Sequence, residues 1–92
     1  MKYIMKNVLV FSNNSWIHVD IPVGHDPSWS TADMSFYGTM FAAASQLFPT
    51  ERAVSIAEAV VSKRLYPGLV YDKVLERDIA SIARKEHESP QH

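Results

Sequence analysis

Between Asn7 and Ile21 the chain reads Asn-Val-Leu-Val-Phe-Ser-Asn-Asn-Ser-Trp-Ile-His-Val-Asp-Ile, with apolar residues at consecutive rather than alternate positions. Val8 to Phe11 and Trp16 to Val23 are rich in β-branched and aromatic residues, which favour strands. Ser12-Asn13-Asn14-Ser15 lies between them, and asparagine tolerates the positive φ of a tight hairpin turn. The pattern predicts a β-hairpin. With Asn13-Asn14 as a two-residue loop, Phe11 faces Trp16, Val10 faces Ile17, Leu9 faces His18 and Val8 faces Val19. Alternation then places Val8, Val10, Ile17, Val19 and Ile21 on one face, and Leu9, Phe11, Trp16, His18 and Asp20 on the other. Both faces carry large apolar groups. One can serve a core, and the second asks for a partner.

Pro22, Gly24 and Pro27 break regular structure, so residues 22–30 are expected as a loop. The apolar period then changes from two to between three and four. Helix 1 is expected from Thr31 to Leu47, with Ser28, Ser30 and Thr31 as candidate caps, Asp33 in its first turn and an inner stripe of Met34, Tyr37, Phe41, Ala44 and Phe48. Gly38 inside that helix costs roughly 1 kcal/mol of propensity against alanine, and beside Ala42 to Ala44 it points to another backbone close by. Pro49 ends the helix. Thr50 is the expected cap of helix 2, whose apolar side is Ala53, Ile56, Ala57, Val60, Val61 and Leu65. Tyr66-Pro67-Gly68 stops it. Helix 3 is expected from Val70 to Glu86, burying Tyr71, Val74, Leu75, Ile79, Ile82 and Ala83. No repeat and no low-complexity segment interrupts this order.

The expectation is one α+β domain over residues 1–92, ordered ββααα. A lone hairpin is marginal in water unless something packs on it. The simplest solution lays helices 1 and 3 on one sheet face, with helix 2 completing the helical layer.

Composition narrows the function. Net charge is −1, so bulk charge makes no case for nucleic acid or an anionic membrane. Five charged residues fall in positions 1–50 and fourteen in 51–92, which leaves the N-terminal half bare of charge and available as a core or a contact surface. There is no cysteine, hence no disulfide and no thiolate metal site. No run approaches the roughly 20 apolar residues of a membrane span. Lys2 and Lys6 precede an apolar run too short for a signal peptide. A cytoplasmic protein is expected.

The candidate chemistry is thin. His18 and His25, with Asp20 or Asp26, lack a third ligand at metal-binding spacing, so no metal is expected. The loop His25-Asp26-Pro27-Ser28 is the one place where acid, base and hydroxyl crowd together, and it supports the alternative of a small hydrolase or ligand-binding domain. Turn and capping roles explain the same residues. The three glycines are isolated, which argues against a phosphate-binding loop. Helix 2, Pro67-Gly68 and helix 3 allow a helix-turn-helix nucleic-acid binder, but Asp72, Glu76 and Asp78 on the recognition helix would repel phosphates.

Aromatic residues crowd the first half of the chain. Phe36 and Tyr37 are adjacent on helix 1 and point about 100° apart, so they cannot share one core. Trp, Tyr and Phe exposed together are the material of binding hot spots. The expectation is a non-catalytic protein-binding module without cofactor, such as a small phage- or plasmid-type regulator or inhibitor that occludes a host complex. Its partner-binding residues would be Leu9, Phe11, Trp16, His18, Asp20 and Trp29. A homodimer is also expected. The second strand carries Asp20 as its one charged gatekeeper against edge pairing. Pairing there would give a four-stranded sheet and bury the second apolar face, in competition with a foreign partner, with Pro22 limiting the ladder to the first half of the strand.

Overall fold

The computed structural model describes residues 3–12, 14–24 and 28–88. Two antiparallel strands, β1 (Ile4–Ser12) and β2 (Ser15–Val23), are followed by helices α1 (Thr31–Ser45), α2 (Thr50–Leu65) and α3 (Lys73–Glu88). The order is the expected ββααα. Ser12 pairs with Ser15, Phe11 with Trp16, Val10 with Ile17, Leu9 with His18 and Val8 with Val19, which is the register that the two-residue loop requires. Asn14 takes the positive φ, at 64°.

The strands are longer than expected. β1 begins at Ile4, and β2 continues through Pro22 to Val23, so the loop starts two residues later than the prolines imply. Pro22 is tolerated because its missing N–H faces away from β1. In a hairpin closed by a two-residue loop, Ser12 and Ser15 form a hydrogen-bonded pair, and alternation turns the backbone groups of Met5, Asn7, Leu9 and Phe11, and of Trp16, His18, Asp20 and Pro22, outward from the ladder. Two side-chain contacts agree with this parity. Ser35 Oγ donates to the Leu9 carbonyl at 2.6 Å, and Tyr37 Oη donates to the Pro22 carbonyl at 2.8 Å.

Ser30 caps α1. Its Oγ accepts from the Asp33 N–H at 3.1 Å and donates to the Asp33 carboxylate at 3.0 Å. α1 stops at Ser45, two residues short of the expected Leu47, and Gln46 to Pro49 turns tightly into α2. Thr50 is the first residue of α2 rather than its cap. Pro49 occupies the cap position without a side-chain hydrogen bond and lends its carbonyl to the Ala53 N–H at 2.8 Å. α3 starts at Lys73, not Val70, because the Asp72 carboxylate accepts from the Leu75 N–H at 2.8 Å and so caps the helix there. Tyr71 therefore precedes the helix, and its ring lies under the Lys63 ammonium. Val74 and Ala83, expected in the core, are exposed.

The helical layer differs from the expected one in which helix meets the sheet. Val8, Val10, Ile21 and Val23 of the hairpin pack with Tyr37 of α1 and with Ala57 and Val61 of α2. Ile82 of α3 belongs to a second cluster, with Ala44, Ala53 and Ile56. α1 and α2 thus face the sheet, and α3 closes the far side of the helix pair. The short turn between α1 and α2 is the physical reason, because it lays α2 beside α1 as an αα-hairpin. Gly38 lets α1 come down on the strands. A Cβ there would stand 2.5 Å from Val10 Cγ1 and 2.8 Å from Val8 Cγ2.

α3 is held by charge as well as by Ile82. Asp78 is buried, and its Oδ2 accepts from Arg52 Nε at 2.8 Å and from Arg52 Nη2. Asp78 is therefore not one of the solvent-facing acids of helix 3 that the pattern placed against phosphate. Among the described residues no helix is long and apolar enough to cross a membrane.

Candidate functional site

The outer face of the hairpin follows from the register. Leu9, Phe11, Trp16, His18 and Asp20 all stand on it, opposite the face that α1 and α2 cover. Leu9, Phe11 and Trp16 are exposed, and Trp16 most of the three, at 61 %. The Phe11 and Trp16 rings are a cross-strand pair at the tip, 5.3 Å between centroids and inclined at 61°, which is an edge-to-face contact. Each ring limits the other's rotamers while both remain in water.

Polar groups fix the other end of this face. Asn7 stands opposite Asp20, and its Nδ2 donates to Asp20 Oδ1 at 3.1 Å. That bond turns the amide so that Asn7 Oδ1 meets His18 Nδ1 at 3.2 Å. A carbonyl oxygen only accepts, so His18 Nδ1 carries the proton and donates. In the neutral ring Nε2 is then the free acceptor. Asn7 was not among the expected site residues. Carrying the strand register one pair past Val8 and Val19 brings it opposite Asp20, so the signal was present in the sequence.

Trp29 sits elsewhere. It is half-buried, its ring 5.2 Å from that of Tyr37 and tilted by 38°. Burial pushes the Tyr37 phenol far above its ordinary range, with the Glu58 carboxylate adding to the shift. Trp29 walls a groove of about 690 Å³ that runs along β1, with Ala32, Met34 and Ser35 of α1 on the same side and Lys6, Asn7, Leu9 and His18 opposite. Its lining is mostly apolar and includes no carboxylate. Leu9 and His18 belong to both the groove and the outer face, so the two are one continuous surface. The structure brings Leu9, Phe11, Trp16, His18 and Asp20 together and joins Trp29 to them only through this groove.

Among the described residues no three His, Asp or Glu side chains gather at metal-binding distance. His25 and Asp26, which carried the hydrolase alternative, lie outside the described residues. The chain matches no protein-family model, no curated protein and no solved structure.

Proposed function

We propose that this chain is a non-catalytic protein-binding module that acts by covering part of another macromolecule's surface, as small regulators and inhibitors do. One observation carries the proposal: Trp16 and Phe11 stand paired and solvent-exposed at the tip of a strand face that the chain's own helices do not cover. Large aromatic rings held in place lose little side-chain freedom on binding, which is why they recur as hot spots. The groove beside them offers an apolar slot for a partner's side chains, and the Asn7, His18 and Asp20 network supplies oriented polar groups at its border.

The test is affinity capture with the immobilised full chain from its native host, read by mass spectrometry. The Trp16→Ala chain and a remote control, Glu51→Ala on the exposed start of α2, run in parallel. Proteins retained by the parent and the control but lost by Trp16→Ala support the proposal. Identical capture by a folded Trp16→Ala chain would sink it.

A further inference from the structure

The two edges of the hairpin are not equivalent. On β1, the Leu9 carbonyl is taken by Ser35, and the groove wall of α1 and Trp29 stands alongside. On β2, the outward N–H and C=O groups of Trp16, His18 and Asp20 meet no partner among the described residues. Such an edge is a template for one more strand. On its inner face the same edge leaves Ile17 uncovered, although Val10 opposite is sealed.

We propose that the occupant of this edge is a second copy of the chain, paired antiparallel through β2 so that His18 of each copy faces Asp20 of the other. Only backbone groups that point outward can form the new ladder, so even-numbered residues must pair with even-numbered ones. Of the registers this allows, the one that sets His18 against Asp20 does so twice, once on each side of the two-fold axis. It places Val19 against its own copy on the axis and sets Ile17 opposite the other copy's Ile21 on the inner face. The polar network is prepared for it. Asn7 uses one oxygen of Asp20 and Nδ1 of His18, which leaves the second carboxylate oxygen and Nε2 for the partner. The two groups bond when Nε2 carries a hydrogen. Pairing extends the sheet in its own plane. The outer faces of the two copies then join instead of being buried, so the dimer and a foreign partner do not compete for one surface.

Sedimentation equilibrium of the full chain over a dilution series tests association directly. The expected result is a reversible transition from 10.4 kDa to twice that mass. Asp20→Lys should weaken the association roughly tenfold or more, because it removes the carboxylate that faces the other copy's His18 and puts a cation on the edge. The register is read by cross-linking in a chain with no cysteine of its own. Val19→Cys should oxidise to a covalent dimer, since residues facing across the axis lie about 4.5 Å apart at Cα. His18→Cys should not, because diagonal neighbours stand about 7–8 Å apart, beyond a disulfide's reach. A 10.4 kDa species at every concentration overturns the dimer, and cross-linking through His18→Cys in place of Val19→Cys overturns the register. Neither result depends on the capture experiment, so each proposal fails on its own.

Discussion

Val10 and Ile17 stand opposite each other on the inner face of the hairpin, yet Val10 is 1 % exposed and Ile17 is 42 % exposed. At the tip the helical cover therefore lies over β1, while at the open end it lies over β2, where Val23 is sealed and Ile4 opposite is exposed. α1 is fastened to β1 by the Ser35 bond to the Leu9 carbonyl and by the approach of Gly38 to Val10 and Val8. The tip of β2 projects past that cover. Ile17 is exposed because the cover stops short of it, and Trp16 because it stands on the face the helices do not reach, so this part of the molecule has apolar surface to offer.

Gly38 sets how closely α1 lies on the strands. Gly38→Ala would raise helix propensity by about 1 kcal/mol. Its new methyl group would strike the stiff branches of Val10 and Val8, and such overpacking costs typically 1–3 kcal/mol. The expected outcome is a net loss of stability in urea denaturation. A gain would show that α1 can lift away freely.

The pair that ties α2 to α3 should respond unequally to its two deletions. The Arg52 side chain is 40 % exposed and that of Asp78 is 4 %. Asp78→Ala leaves a guanidinium that water can reach, so the expected loss is about 1 kcal/mol. Arg52→Ala leaves a buried carboxylate with only Arg77 at 3.5 Å, so the expected loss is about 3 kcal/mol. Paired thermal melts decide this, and equal losses would mean that α3 moves outward to wet the carboxylate.

Along α3 the burial is narrower than the apolar stripe. Ile82→Ala should cost about 2–4 kcal/mol, as for fully buried aliphatic groups. Ile79 is half-buried at the edge of the same cluster, and Ile79→Ala should cost about 1 kcal/mol. Chemical denaturation of the two variants should rank them in this order.

Trp16→Ala separates folding from binding. The fold loses an edge contact with Phe11, a pair worth about 0.5–1.5 kcal/mol. Binding to a captured partner should fall by at least ~2 kcal/mol if Trp16 is its hot spot. Circular dichroism melts and titrations on one preparation give both values. A variant that unfolds outright would place Trp16 in the core.

The hairpin was legible because a two-residue turn admits one register, and the register alone assigns every side chain to a face. The helix limits were less so. Asp72 read as one more solvated charge, and only its carboxylate on the Leu75 N–H reveals it as the start of α3. Asp78 read the same way, since nothing in the pattern shows that Arg52, 26 positions earlier, reaches it. Which helix meets the sheet was decided by the tight turn after Ser45, a feature of geometry and not of periodicity. On the outer face the large side chains were visible from alternation, whereas Trp29 was placed with them by residue type alone. Its ring contact with Tyr37 depends on how the chain returns from β2 to α1.

The two tryptophans have unlike surroundings, Trp16 in water at the hairpin tip and Trp29 half-enclosed against Tyr37. The molecule thereby carries two fluorophores with separate duties. In a Trp29→Phe chain the remaining indole should emit at long wavelength and be quenched readily by iodide. Anything that settles on the tip should shift that emission toward the blue. In a Trp16→Phe chain the indole that remains should stay silent to contact confined to the tip, respond when a side chain enters the groove it walls, and change again when the strands and α1 come apart. Contact at the tip and entry into the groove can therefore be followed as two separate colours of the same small protein, with no dye attached.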